Sequence, residues 1–212
     1  MQTVGGVAGV LFGVLFIGGA FLPGPPPPID SDPEDFMAFY ARQGYRQQLA
    51  NLLIAFGAIA FLLFLPSLAA AVGSGLGASA YAPEIVFGAG LVSIGLGMAG
   101  TAVFQALATS ATKSWAPPTI AVIELVARLT RNISFFSQAL LVAVAGWTFA
   151  TRSGLEQVIG IAGIVVAIAV FASSTAVYLR MSRGAHIASL LTTIPLIVWY
   201  VTVGAALAMR AI

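Results

Sequence analysis

The sequence predicts an all-α polytopic membrane protein: a bundle of six transmembrane helices with a short interfacial helix in the first loop. Of its 212 residues, 59% are hydrophobic and only 8% are charged, whereas a soluble domain carries about 25% charged residues. Six apolar runs are long enough to cross a hydrocarbon core of about 30 Å, which needs about 20 helical residues. We therefore treat residues 1–212 as a single six-helix transmembrane domain.

The six predicted spans are approximately residues 4–22, 48–72, 85–108, 121–150, 158–179 and 187–209. Their length and continuity favour helices, because strands of membrane barrels alternate in polarity over only about 10 residues. The first run has no basic segment before it and no Ala-x-Ala site before Pro23. We therefore predict a retained first span rather than a cleaved signal peptide.

Residues 23–46 are predicted to form a loop rich in proline and acidic residues, with an amphipathic helix within it. The proline run at 23–28 predicts an extended, stiff spacer. Asp32 can cap a helix whose first residue is Pro33. The apolar side of that helix comprises Phe36, Met37, Phe39 and Tyr40. We predict that it lies in the membrane interface, with folding over the mouth of the bundle as the alternative.

Small residues recur every four positions in two of the spans. These two ridges are Gly5, Gly9 and Gly13 in the first span, and Ala89, Ser93 and Gly97 in the third. Such ridges let two helices approach closely. We predict that both serve helix packing within the chain rather than a dimer contact.

A stripe of polar side chains runs along the fourth span. The spacing of Glu124, Arg128, Arg131 and Gln138 by four or seven residues places them on one helix face. Three interpretations stay open: side chains reaching from the membrane interface towards water, a buried Glu–Arg network, or a solute path. The path would also include Asn51 and Gln105. A cationic stripe favours anions over cations.

Missing residue types exclude several kinds of chemistry. The chain has no Cys, and its single His, His186, cannot build a polyhistidine metal or haem site alone. The sole Lys, Lys113, lies in a loop, which excludes a retinal Schiff base within a span. Neither a G-x-S-x-G nor an H-E-x-x-H motif occurs. We predict no enzyme activity, no catalytic residue, no cofactor and no metal, with His186 at the interface.

Four segments carry a resemblance to a known family. They are PPPPIDSDPEDFMAFYAR at residues 25–42, FLLFLPS at 61–67, LTRNIS at 129–134 and IVW at 197–199. Together they resemble a family of uncharacterised actinobacterial six-helix integral membrane proteins. The resemblance implies six spans and a bacterial plasma membrane; since that family has no established activity, it implies no function.

The function predicted first is that of a non-catalytic accessory or scaffold subunit of a larger membrane complex, because apolar faces and small-residue ridges abound while reactive groups are scarce. The alternative is a channel or permease for a small neutral or anionic solute. Lipid or quinone binding between helices is a third interpretation. The predicted partners are membrane lipids and another membrane protein; nucleic acid is not predicted, because the nine Lys and Arg residues form no basic patch.

Overall fold

The computed structural model of the protein contains six α-helices. Their bounds are α1 Gln2–Phe21, α2 Pro33–Gly73, α3 Ala82–Ser114, α4 Pro117–Ala150, α5 Leu155–Arg180 and α6 Arg183–Ala208. The structure describes residues 2–28, 30–74, 79–180 and 183–209, except for the side chains of residues 110–114, 180 and 183–190, and these residues include no strand. The predictions for Lys113 and His186 concern side chains outside this description.

All six helices contain a segment long and apolar enough to cross a membrane, which confirms the predicted number of spans. Many of their outward-facing side chains are large and apolar, as at Leu62 and Leu63 of α2, Val165 and Ile168 of α5 and Val198 of α6. Water does not favour a continuous apolar surface of this extent, whereas lipid does. The fold is therefore that of a multi-pass membrane protein.

The helix predicted within the first loop is not separate in the structure. Its residues form the first turns of α2, which continues without a break for 41 residues, about 60 Å. No strong helix breaker lies between Pro33 and Pro66. At Gly44 the helix packs closely against α3, since an added Cβ would lie 3.1 Å from the Ala108 carbonyl oxygen. The apolar side of these turns contacts α3 and α4, in a cluster formed by Phe36, Phe39, Tyr40, Phe104, Leu107, Ile120 and Ala127.

The six helices form a closed ring in chain order. Each helix packs against the next one, α1 packs against α6, and α2 also contacts α4 and α6 across the ring. Aromatic side chains fill part of the centre: the ring centroids of Phe12 and Phe61 lie 4.8 Å apart, and Tyr200 meets Phe61 edge-on at 5.4 Å. This aromatic cluster borders the site described below, because Phe12 and Phe61 belong to both.

The glycine ridge of α1 packs within the chain. An added Cβ at Gly5 would collide with Ser67 of α2, and one at Gly13 would collide with Val201 of α6. Gly9 faces both helices, since an added Cβ would meet Phe64 of α2 and Gly204 of α6. The closest helix contact outside the predicted ridges is between α4 and α5, where a Cβ at Gly160 would lie 2.1 Å from the Ala150 nitrogen.

Candidate functional site

A small, partly open cavity lies between α1, α2, α3 and α4. The volume open to the centre of a water molecule is about 40 Å³, and one water needs about 10 to 15 Å³. The polar residues of its wall are Ser93, Thr101, Arg131, Ser134 and Gln138. Phenylalanine rings supply much of the remaining wall. The cavity thus has room for about three water-sized groups.

The small residues of α3 create this cavity. An added Cβ at Gly97 would contact only the Ser134 Oγ, at 3.9 Å, so α3 and α4 are apart at this level. They approach closely one turn later, where a Cβ at Gly100 would lie 3.2 Å from the Ala127 carbonyl oxygen. Part of the ridge predicted to close a helix contact therefore leaves space instead: Ala89 is buried in the core, whereas Ser93 and Gly97 line the cavity.

Arg131 is the charged residue of the cavity wall. Its guanidinium carbon lies 5.7 Å from the ring centroid of Phe16, which also lines the cavity. The two ion pairs among the described residues join Arg128 to Glu124 and Arg152 to Glu156, so Arg131 has no carboxylate partner there. A cation inside a membrane protein costs several kcal/mol unless something compensates its charge. The Phe16 ring and the more distant charge of Glu124 supply part of that compensation.

Ser93 is a second incompletely satisfied group at the same place. Its side chain is 2% exposed, and its Oγ has no hydrogen-bond partner in the described part of the protein. The other two hydroxyls of the wall are occupied, since Thr101 donates to the Gly97 carbonyl oxygen and Ser134 donates to that of Arg131. Buried hydroxyls usually have a partner. The cavity wall therefore carries one cation and one hydroxyl that has no hydrogen-bond partner among the described residues.

Glu124 and Arg128 form a separate network beside the first loop. Glu124 is 2% exposed, and its Oε1 accepts hydrogen bonds from the Arg128 Nε and Nη2 at 2.9 and 2.8 Å. Its Oε2 accepts from the Tyr40 hydroxyl. Arg128 also donates to the Pro27 carbonyl oxygen at 2.9 Å and lies over the ring of Phe36. Both carboxylate oxygens are thus occupied, and the charge of Arg128 is neutralised locally.

Asn51 and Gln105 form an amide layer between α2 and α3. The Gln47 Nε2 donates to the Asn51 Oδ1, and the Asn51 Nδ2 donates to the Gln105 Oε1, both at 3.0 Å. Asn51 and Gln105 lie about one helical turn from cavity residues of their own helices. This layer thus joins α2 to α3 through side-chain hydrogen bonds about one turn away from the cavity.

The predicted polar path is thus divided into three groups. Arg131 and Gln138 line the cavity, Glu124 and Arg128 pair with each other, and Asn51 bonds with Gln105. Two members of the Glu124–Arg128 network were not predicted from the sequence: the Tyr40 hydroxyl, since Tyr40 was expected only on an apolar helix side, and the backbone oxygen of Pro27. The sequence feature that pointed towards the Tyr40 contact was the position of Tyr40 on the apolar side of the predicted first-loop helix, which had to pack against something.

Within the described residues, no group of three His, Asp or Glu side chains could hold a metal ion. Comparisons with protein-family models, curated proteins and solved structures find no match to this chain.

Proposed function

We propose that the protein binds a small neutral or anionic solute in the Arg131 cavity and conducts it through the membrane. One observation carries this proposal: the Arg131 guanidinium lines a cavity together with the Ser93 hydroxyl, and among the described residues the first has no carboxylate partner and the second no hydrogen-bond partner. Ionisable side chains at membrane depth by default mark functional sites, and a fixed cation attracts anions. The Asn51–Gln105 layer supports a polar route towards the cavity.

We further propose that the protein is a multi-pass protein of a bacterial plasma membrane whose lipid boundary crosses α2 near Arg46. The outward face of α2 carries the exposed Arg42, Tyr45 and Arg46, followed by the exposed Leu49 and Leu52. Basic and aromatic side chains favour the headgroup region, and leucines favour hydrocarbon. On this basis the first turns of α2 lie in or beyond the interface, and lipids are direct partners.

The same boundary places the cavity inside the bilayer. Helix α1 has 20 residues and is about 30 Å long, the thickness of the hydrocarbon core. Phe16 lies about 21 Å along α1 from Gln2, so its contact with Arg131 falls within the hydrocarbon region. The role of accessory subunit stays a prediction, because the apolar outer surface fits lipid equally well without another protein.

Solute uptake into vesicles containing the purified protein tests the proposal. We expect uptake of radioactive chloride above that of protein-free vesicles, and its loss in Arg131→Gln, which removes the cation from the cavity. Arg42→Gln makes the same charge change on the outer surface of α2 and is the matched control. Glycerol, a small neutral solute, and the anions iodide and sulfate are measured in parallel. Wild-type uptake of all three anions and of glycerol at the protein-free level would overturn the proposal.

A second pair of variants tests the cavity itself. Gly97→Leu places its side chain in the cavity, with room for the Cβ, whereas Gly95→Leu adds the same atoms at an exposed position with nothing within 4 Å of the Cβ. We expect Gly97→Leu to stop uptake and Gly95→Leu to leave it unchanged. Equal uptake by the two variants would show that the solute does not pass through this space.

A further inference from the structure

The charges around the cavity limit which anion it can hold. Arg128 and Arg131 contribute two positive charges and Glu124 one negative charge, so this part of the bundle carries a single net positive charge. A singly charged anion at Arg131 makes the region neutral. A doubly charged anion would leave a net negative charge inside the membrane, which is costly.

The shape and chemistry of the wall set a second limit. The cavity holds about three water-sized groups, so an anion enters with only one or two waters. The guanidinium of Arg131, the hydroxyl of Ser93 and the amide of Gln138 can replace part of its hydration shell, whereas the rings of Phe12 and Phe61 cannot. An anion that holds water weakly therefore loses least on entering. The guanidinium is itself weakly hydrated, which matches such an anion.

We infer that the Arg131 cavity is a site for one singly charged, weakly hydrated anion, such as iodide, nitrate or thiocyanate, with chloride bound less well. This inference rests on the proposed function and specifies its solute. Sulfate and hydrogen phosphate are excluded, since both are strongly hydrated and carry two charges at neutral or slightly alkaline pH. Ser93 is the hydroxyl that donates to the bound anion, because its Oγ has no hydrogen-bond partner in the described residues.

Uptake of three radioactive anions by phosphatidylcholine vesicles containing the full chain tests the inference. Iodide, chloride and sulfate are compared at equal ionic strength, with potassium and valinomycin present to balance the charge that moves, and uptake by protein-free vesicles is subtracted. We expect iodide uptake to exceed sulfate uptake by about tenfold or more, with chloride between them. Ser93→Ala should lower the uptake of both halides.

The outcomes separate this inference from the proposed function. Sulfate uptake equal to chloride uptake would overturn the inference but leave the proposed solute path in place. The same holds if glycerol is taken up and none of the three anions is. Absence of uptake for all three anions and for glycerol would overturn both.

Arg131→Lys adds a measurement that a purely structural arginine would not affect. The variant keeps the positive charge but replaces the guanidinium by a strongly hydrated ammonium group. We expect anion uptake to persist while the ratio of iodide to chloride uptake falls. An unchanged ratio would overturn the assignment of Arg131 as the residue that determines selectivity. Arg42→Lys, on the exposed face of α2, is the control.

Discussion

The buried ion pair of Glu124 and Arg128 allows a quantitative test of how this bundle is held together. Glu124 is 2% exposed and the side chain of Arg128 is 13% exposed, so either charge left alone would have little contact with water. Removing one partner of a buried pair costs about 3 to 5 kcal/mol. For a chain of this size each kcal/mol lowers the melting temperature by about 2 to 4 °C. Arg128→Met should therefore melt about 6 to 20 °C below the wild type.

The same physics predicts that replacing the whole network restores stability. The triple variant Tyr40→Phe, Glu124→Leu, Arg128→Met removes both charges and the hydroxyl that would otherwise lose its acceptor. Buried ion pairs replaced by apolar side chains of similar volume are often neutral in stability. We expect the triple variant to melt closer to the wild type than Arg128→Met does.

Thermal unfolding in mild detergent, followed by tryptophan fluorescence, measures these effects. Arg46→Met removes an exposed charge from α2 and should change the melting temperature little. If the melting temperature of Arg128→Met equalled that of the wild type, the pair would not be buried as described. If the triple variant lost as much stability as its three single substitutions together, the three residues would act independently and the reasoning would fail.

Three further predictions concern helix contacts. Gly160→Val should lower the melting temperature strongly, because its Cβ would lie 2.1 Å from the Ala150 nitrogen; Gly88→Val, with nothing within 4 Å, should not. Arg152→Gln should speed hydrogen exchange in the last turn of α2, whose carbonyl oxygens accept from Arg152 at 2.7 and 3.3 Å. Trp199→Phe should cost about 1 kcal/mol in thermal unfolding by removing the indole hydrogen bond to a backbone oxygen of α5, and an unchanged melting temperature would contradict this contact.

The spans were predictable from the sequence because lipid imposes a simple requirement of length and apolarity. The boundary between the first-loop helix and the second span was not, since residues 33–46 and the span that follows both have helical patterns with no strong breaker between them. A helical pattern identifies which residues share a face. It does not show whether the next helix continues in the same direction.

The candidate site was predictable only in part, for a related reason. Spacing placed Glu124 and Arg128 together because they belong to one helix. Their other partners come from 84 and 101 residues away, through Tyr40 and a backbone oxygen of Pro27. The four-residue spacing of Ala89, Ser93 and Gly97 indicated that these residues share one face of α3. The distance from that face to α4 depends on side chains elsewhere in the bundle. A ridge that closes a contact and one that borders a cavity have the same sequence pattern.

The attachment of the first loop to Arg128 depends on chain length more than on residue type. Its acceptor is the backbone oxygen of Pro27, at 2.9 Å, and any amino acid at that position has such an oxygen. An extended proline segment advances about 3.1 Å per residue, so inserting or deleting one residue moves the oxygen by about the length of the bond. We therefore expect this attachment to tolerate a substitution at residue 27 and to be lost when one residue is inserted or deleted before it.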